Sequence, residues 1–261
     1  MTTLQFLLGA FAGSAVGFTL GLVGGGGSIL AVPLMVYLVG VRDPHVAIGT
    51  SALAVAANAL IGLANHARKR NVKWRCAAAF ATAGVAGAWL GAMAGKAMDG
   101  QKLLALFALL MLVVSALMVR SRGTVGDASV VLNQANAPRL VMAGGATGLV
   151  SGFFGIGGGF LVVPGLMAAT GMPILFAVGS SLVAVAAFGL TTALSYAASG
   201  QVLWTLAGAF IAGGALGGAI GARAAARLAR HKGLLDSTLA GLIALVALYM
   251  LFRAAAASGW L

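Results

Sequence analysis

Long apolar stretches separated by short polar ones run along the whole chain. The pattern predicts five apolar elements in each half, at about 3–23, 28–41, 46–65, 74–95 and 103–119, and then 139–153, 158–170, 174–198, 202–222 and 235–252. Several stretches without charge reach the roughly 20 residues that a helix needs to cross about 30 Å of hydrocarbon. Because irregular backbone cannot satisfy its polar groups in lipid, we expect an all-α polytopic membrane protein.

The apolar pattern is interrupted at the same place in both halves. GGGGSILAVP occupies 24–33, and GIGGGFLVVP occupies 155–164. The two motifs are 131 residues apart, and a shift of 130 residues aligns Gly49-Thr50-Ser51 with Gly179-Ser180-Ser181, and Val72-Lys73-Trp74 with Val202-Leu203-Trp204. The chain is therefore read as a duplication, with a first membrane repeat at 1–119, a polar linker at 120–138 and a second membrane repeat at 139–261.

The second element of each half is unusually short. It holds roughly 13 or 14 residues, which is about 20 Å as an α-helix and too little to span a membrane comfortably. The sequence therefore predicts short broken or re-entrant helices at the glycine motifs. Paired interruptions at corresponding positions of two halves are the best sequence indication of a transporter's binding site.

The basic residues lie at the ends of the apolar elements and indicate the topology. With an odd number of elements per half, the loops 66–75, 120–139 and 223–233 share one side, and the basic residues divide 12 to 4; with an even number they divide 9 to 7. The positive-inside rule favours the first arrangement, which gives two inverted-topology repeats, a cytoplasmic linker and both termini outside, in the periplasm. The net charge of +12 does not indicate a nucleic-acid partner, because a basic helix face with stacking aromatics is missing.

The glycine motifs are the strongest candidate for substrate binding. Glycine permits positive φ and a close approach of the backbone to a ligand. A helix that begins directly after such a run has free backbone N–H groups and the positive end of its dipole, which together bind anions without an arginine. The predicted substrate-binding residues are the two motifs, the hydroxyls that follow each of them and one helix amide: Gly24, Gly25, Gly26, Gly27, Ser28, Gly155, Gly157, Gly158, Gly159, Thr50, Ser51, Ser180, Ser181 and Asn58. Glycines in membrane helices also serve packing alone, and Asn58 either lines a path or bonds across helices.

The polar residues that are missing narrow the function further. The only carboxylates are those of Asp43, Asp99, Asp127 and Asp236, all in or next to predicted loops. Proton and sodium pumps usually keep an intramembrane carboxylate, so we do not expect coupling through a buried acid. Cys76 is alone and no HExxH-like spacing occurs. We therefore expect no metal, no cofactor and no enzymatic activity.

These motifs resemble the TauE/SafE family of membrane permeases, often described as sulfite exporters. The resemblance rests on the two glycine motifs, on GTSALAVAANALIG and GSSLVAVAAFGLTT after them, and on the tryptophan-led element after a basic loop. It implies transport of small anions, notably sulfite and organosulfonates, across the bacterial inner membrane, often outward. Two alternatives remain at this point: an anion channel with the same site, and a membrane scaffold or subunit that transports nothing.

Overall fold

The computed structural model describes residues 2–120, 131–134, 136–228, 241 and 243–253. In these ranges the chain is helical and contains no β-strand, so the predicted all-α class is confirmed. The helices are α1 (Thr3–Val23), α2 (24–38), α3 (Pro44–Arg68), α4 (Trp74–Ala97), α5 (Gly100–Arg120), α6 (Ala137–Phe154), α7 (Gly159–Thr170), α8 (Ile174–Ala197), α9 (Trp204–Leu228) and α10 (Ile243–Arg253).

Five of the described helices are long and apolar enough to cross a membrane: α1, α3, α4, α8 and α9. α2 and α7, which carry the glycine motifs, are the short elements that the sequence predicts. α2 is composite, with a 3-10 segment (Gly24–Leu30), a single α-helical turn (Ala31–Pro33) and a π-helical turn (Leu34–Leu38). Parts of the predicted linker 120–138 and of the predicted last element 235–252 lie outside the described residues.

Two tight helix pairs join the halves. α1 packs along α9, and α4 packs along α6. In the first pair Gly13 lies against the carbonyl of Phe210, and Gly17 lies against that of Gly214, so the two helices run parallel. In the second pair Gly148 lies against the carbonyl of Gly84 in the same way. Residues without a side chain allow this close backbone contact, as is usual between membrane helices.

The central pair, α3 and α8, consists of helices that correspond to each other in the duplication. Gly49 lies against the carbonyl of Gln201 beside Tyr196, and Gly179 lies against the carbonyl of Asn71 beside His66. The start of each helix therefore meets the end of the other, and the two run antiparallel. Each of these contacts occurs twice, once from each half, at positions that the 130-residue shift relates.

Local sequence sets the start of α3. The carboxylate of Asp43 accepts a hydrogen bond from the backbone N–H of His45 at 2.8 Å, and a proline follows Asp43 in the first turn. Aspartate is a favoured N-cap, and proline is favoured at the first helical position because its missing N–H would be unpaired there anyway. These two residues explain why the helix begins two residues before the predicted element.

Candidate functional site

The second glycine motif breaks the chain between α6 and α7. Gly155, Gly157 and Gly158 have φ values of 68°, 64° and 69°, in the left-handed region that residues with a side chain adopt only at a cost. Gly155 ends α6, and Gly158 is the residue before α7. Three glycines of the motif are therefore required by the backbone conformation.

The break lies halfway along the central helices. A methyl group built on Gly157 would lie 3.0 Å from Cγ1 of Val55 and 3.3 Å from Cγ1 of Val185. Val55 lies near the middle of α3, and Val185 lies near the middle of α8. α7 therefore begins inside the helix bundle, about as far from one end as from the other.

The start of α7 presents hydrogen-bond donors. The N–H groups of Leu161 and Val162 both bond to the carbonyl of Gly158, at 2.8 and 2.9 Å. The N–H groups of Gly159 and Phe160 have no backbone partner among the described residues. Such groups are the unsatisfied donors expected in the first turn of a helix, where the dipole is positive.

A free hydroxyl lies beside these donors. Ser151 of α6 is fully buried, and its Oγ has no hydrogen-bond partner among the described residues. A methyl group built on Gly158 would lie 2.8 Å from this oxygen. Ser151 is not among the residues that the sequence predicts for the site. At the 131-residue spacing of the two glycine motifs it corresponds to Leu20 of α1, so a polar residue here departs from the repeat.

The first glycine motif has a different conformation. Gly24, Gly25, Gly26 and Gly27 lie in the 3-10 segment that follows α1 directly. Gly27 packs against Thr19 and Leu20 of that helix. In a 3-10 helix each N–H bonds to the carbonyl three residues earlier, so this motif offers fewer free donors than the second. Ser28 is fully buried and has an interaction partner. The two motifs are related in sequence, but they do not form two equal half-sites.

The four hydroxyl residues that follow the glycine motifs differ in their hydrogen-bond partners. Oγ1 of Thr50 accepts a hydrogen bond from the N–H of Leu203 at 3.0 Å, and Oγ of Ser180 accepts one from the N–H of Lys73 at 2.9 Å. These bonds correspond in the duplication, and each ties a central helix to the loop of the other half. Thr50 and Ser180 therefore have structural partners away from the glycines.

The neighbouring serines occupy another helix face. Ser51 donates to the carbonyl of Ile48 at 3.1 Å, and Ser181 donates to that of Val178 at 2.8 Å. Ser51 lies between Ile48 and Val55 along α3, and these two side chains approach Gly155 and Gly157. The structure thus brings Ser51, but not Thr50, to the second glycine motif.

Asn58 is buried in α3 with no hydrogen-bond partner. Its side chain is 4% exposed, and neither Nδ2 nor Oδ1 bonds to any described residue. It lies directly against Gly214 of α9. The corresponding residue of α8, Phe188, lies against Gly84 of α4 and also beside Gly158. Asn58 therefore projects from α3 towards the α1–α9 pair, and Phe188 projects from α8 towards the α4–α6 pair.

Comparison with known proteins supports a transport role. The family model described as "Sulfite exporter TauE/SafE" matches residues 9–250. A probable membrane transporter protein of Xylella fastidiosa (strain 9a5c) is 49% identical over 257 residues, which cover 97% of each chain. The probable membrane transporter protein YunE of Bacillus subtilis (strain 168) is 26% identical over 238 residues, or 82% of this chain and 86% of its own. No solved structure matches significantly. Because the family match extends over nearly the whole chain and five helices are long enough to span a bilayer, the chain belongs to the TauE/SafE family and is a multi-pass membrane transporter.

Proposed function

We propose that this chain is a secondary transporter of small oxyanions, such as sulfite or an organosulfonate, and that it binds them at the start of α7. The observation that carries the proposal is the break at Gly155–Gly158, which starts a helix halfway along α3 and α8 beside the free hydroxyl of Ser151. Export across the bacterial inner membrane is the expected direction, since the family description names an exporter.

The charges around α7 favour an anion. Backbone N–H groups and a serine hydroxyl donate hydrogen bonds, and the helix dipole adds a partial positive charge. None of the four aspartates of the chain lies in a described helix. No carboxylate is therefore placed on these helices to repel a bound oxyanion. Ser151 supplies the free hydroxyl beside the motif, whereas the hydroxyl of Ser51 already donates to the carbonyl of Ile48. We propose that the first glycine motif and Asn58 line the path from the other half.

The antiparallel packing of α3 and α8 supports inverted repeats. If two corresponding helices both cross the membrane and run in opposite directions, their repeats have opposite topology. The short helices α2 and α7 then enter the membrane from opposite sides. This arrangement keeps the proposed repeats at 1–119 and 139–261 and both termini on the periplasmic side.

The tight pairs suggest how access alternates. α1–α9 and α4–α6 each hold one helix from either half, with backbones in contact through glycines. We propose that each pair moves as a unit, because glycine-mediated backbone contact holds its two helices together. In the proposed mechanism they tilt relative to α3 and α8, so that the substrate site opens to one side at a time.

Flux measurements test the proposal. Purified protein in proteoliposomes is expected to move labelled sulfite with saturation and counterflow, and one class of oxyanion should compete. Flux without saturation or counterflow would indicate a channel with the same site. If protein shown to be folded gives no flux with any of a panel of sulfonates, sulfate, carboxylates and chloride, the proposal fails and the glycines serve packing.

Two alanine substitutions test whether the substrate binds at the start of α7. Gly158→Ala places a methyl group 2.8 Å from Ser151 Oγ, whereas Gly171→Ala, at the other end of α7, meets nothing within 4 Å. Both glycines are left-handed, with φ of 69° and 73°, so both variants carry a similar backbone strain. We expect flux to be lost in Gly158→Ala and retained in Gly171→Ala. Equal flux in the two variants would remove the start of α7 from the binding site.

A further inference from the structure

A second group of polar side chains lies at the end of the bundle where α3 begins and where α4 and α8 end. It consists of His45, Lys96, Ser195 and Tyr196, here called the Lys96 cluster. None of these residues belongs to a glycine motif. The rings of His45 and Tyr196 have centroids 6.2 Å apart, and Lys96 Nζ lies 5.8 Å from the centroid of the Tyr196 ring.

Three of the four side chains have a buried polar atom without a partner. The hydroxyl oxygens of Ser195 and Tyr196 and the Nδ1 of His45 have no hydrogen bond to any described residue. Ser195 is 1% exposed, and Tyr196 is 0% exposed. Buried polar groups are nearly always hydrogen-bonded in native proteins, so several unpaired ones in one place require an explanation.

Lys96 adds a positive charge to this group. Its Nζ donates to the carbonyl of Ser195 at 2.9 Å and to Oγ of Ser199 at 3.1 Å. An ammonium has three N–H donors, so one of them remains for another acceptor. Lysine is costly in a membrane segment and is usually functional when it faces the protein interior.

The donors of the cluster are complementary to an anion. The Tyr196 hydroxyl, the Ser195 hydroxyl and the ammonium can all donate, and the imidazole can do so as the Nδ1 tautomer. A cation would be repelled by Lys96. The carboxylate of Asp43, which is exposed, accepts a hydrogen bond from the backbone N–H of His45 in the cluster.

We propose that the Lys96 cluster is a second anion-binding site, which holds a sulfonate- or sulfate-like oxyanion at this end of the bundle. Its role as an entry or exit station rests on the proposed anion transport, whereas binding itself does not. The lysine of the cluster is not repeated at the corresponding position of the other half. The residues that correspond to His45, Lys96 and Tyr196 are Leu175, Ala226 and His66, so the other end lacks the lysine.

A local labelling experiment tests binding without relying on flux. Ser199 is exposed and contacts Lys96. In a Cys76→Ala background, S199C in purified detergent-solubilised protein reacts with a maleimide at a measurable rate. Methanesulfonate, an inert sulfonate, is expected to slow this reaction saturably at constant ionic strength. A labelling rate that does not depend on methanesulfonate would overturn the proposal and leave the cluster with ordered water only.

Three charge variants assign the effect to Lys96. Lys96→Met is expected to raise the methanesulfonate concentration that halves the labelling rate of S199C about fivefold or more, because a charge-assisted hydrogen bond is lost. Lys102→Met changes the net charge equally at an exposed position of α5, and it should leave that concentration of methanesulfonate unchanged. Asp43→Asn keeps a capping residue and should lower it, since a negative charge is removed. If Lys96→Met and Lys102→Met change the half-protecting methanesulfonate concentration equally, the proposed site is wrong.

The two proposals can fail separately. Gly158→Ala is expected to lose flux and to keep methanesulfonate protection of S199C. Protection without flux in the parent chain would reject transport and retain the Lys96 site. Flux without protection would retain transport and reject this site. Size-exclusion profiles of each variant confirm that the comparison is made on folded protein.

Discussion

The amide of Asn58 packs directly against Gly214, and the ring of Phe188 packs against Gly84 in the corresponding place of the other half. The fold therefore accepts a purely apolar side chain at this position of a central helix. In α3 the position holds an amide whose two polar atoms are buried without a partner. An unpaired buried amide opposes folding, and we therefore propose that Asn58 lines the substrate path.

Replacing Asn58 tests this explanation. Asn58→Leu is expected to raise the free energy of unfolding by about 1–3 kcal/mol, because it removes an unsatisfied buried group of similar size. It should at the same time lower sulfite flux. Thermal unfolding of the detergent-solubilised protein and proteoliposome flux measure the two effects. The control, Phe188→Leu, removes a well-packed ring and should lower stability. A loss of stability in Asn58→Leu would instead show that the amide is paired in the membrane.

The close contact at Gly214 gives a second prediction. A methyl group built there overlaps Asn58 Nδ2, so Gly214→Ala should destabilise the protein by about 1–3 kcal/mol, as overpacked cores do. Adding Asn58→Ala should recover most of that loss, because the overlapping amide is gone. Unfolding measured on the single and double variants gives the coupling energy of the pair. Additive effects would mean that α9 moves away from α3 instead.

Replacement of Ser151 distinguishes a loss of substrate affinity from a loss of stability. Since its buried hydroxyl has no protein partner, Ser151→Ala should leave the melting temperature unchanged or slightly higher. If the hydroxyl donates to a bound oxyanion, the substrate affinity should fall about tenfold, the usual effect of losing a hydrogen bond to a charged group. Saturation of sulfite flux measures it.

The matched control for Ser151 is another helix serine. Ser14 of α1 donates to the carbonyl of Gly213 at 3.0 Å across the α1–α9 contact. Ser14→Ala should lower stability and leave the affinity for sulfite unchanged. If Ser151→Ala behaves in the same way as this control, the hydroxyl belongs to the packing of α6 and not to the site.

Particular elements show what the sequence was able to predict. The sequence predicts the break of the second motif before 158, and α7 begins at Gly159. Runs of glycine and the length of the following apolar segment are local features, so the sequence alone is enough to predict them. The apolar pattern predicts the extent of α3 and of α4 to within three residues in the same way. The first motif differs: four glycines were expected to interrupt the helix, and a 3-10 segment continues α1 instead. Glycine allows a break in the helix as well as a 3-10 segment. The conformation of the first motif therefore depends on its packing against Thr19 and Leu20.

Side-chain partners depend on contacts between distant parts of the chain. The sequence groups Thr50 with Ser51 as adjacent hydroxyls, but consecutive residues of a helix point about 100° apart. Ser51 consequently faces the glycine motif, and Thr50 reaches the loop before α9. The sequence does not predict Ser151 as a site residue, because its contact with Gly158 is made across the break between α6 and α7.

The loop contacts of Thr50 and Ser180 give the last prediction. Thr50→Val leaves the N–H of Leu203 without its acceptor, and Ser180→Ala does the same to Lys73. Each change should cost about 0.5–1.5 kcal/mol of stability, the net contribution of a typical hydrogen bond, because both bonds are only partly buried. Because the two bonds correspond in the duplication, the losses should be similar, and Thr50→Ser should restore stability by returning an acceptor. Thermal unfolding measures the loss, and the half-saturating sulfite concentration should stay unchanged. A weakened affinity at full stability would instead place these hydroxyls in the substrate site.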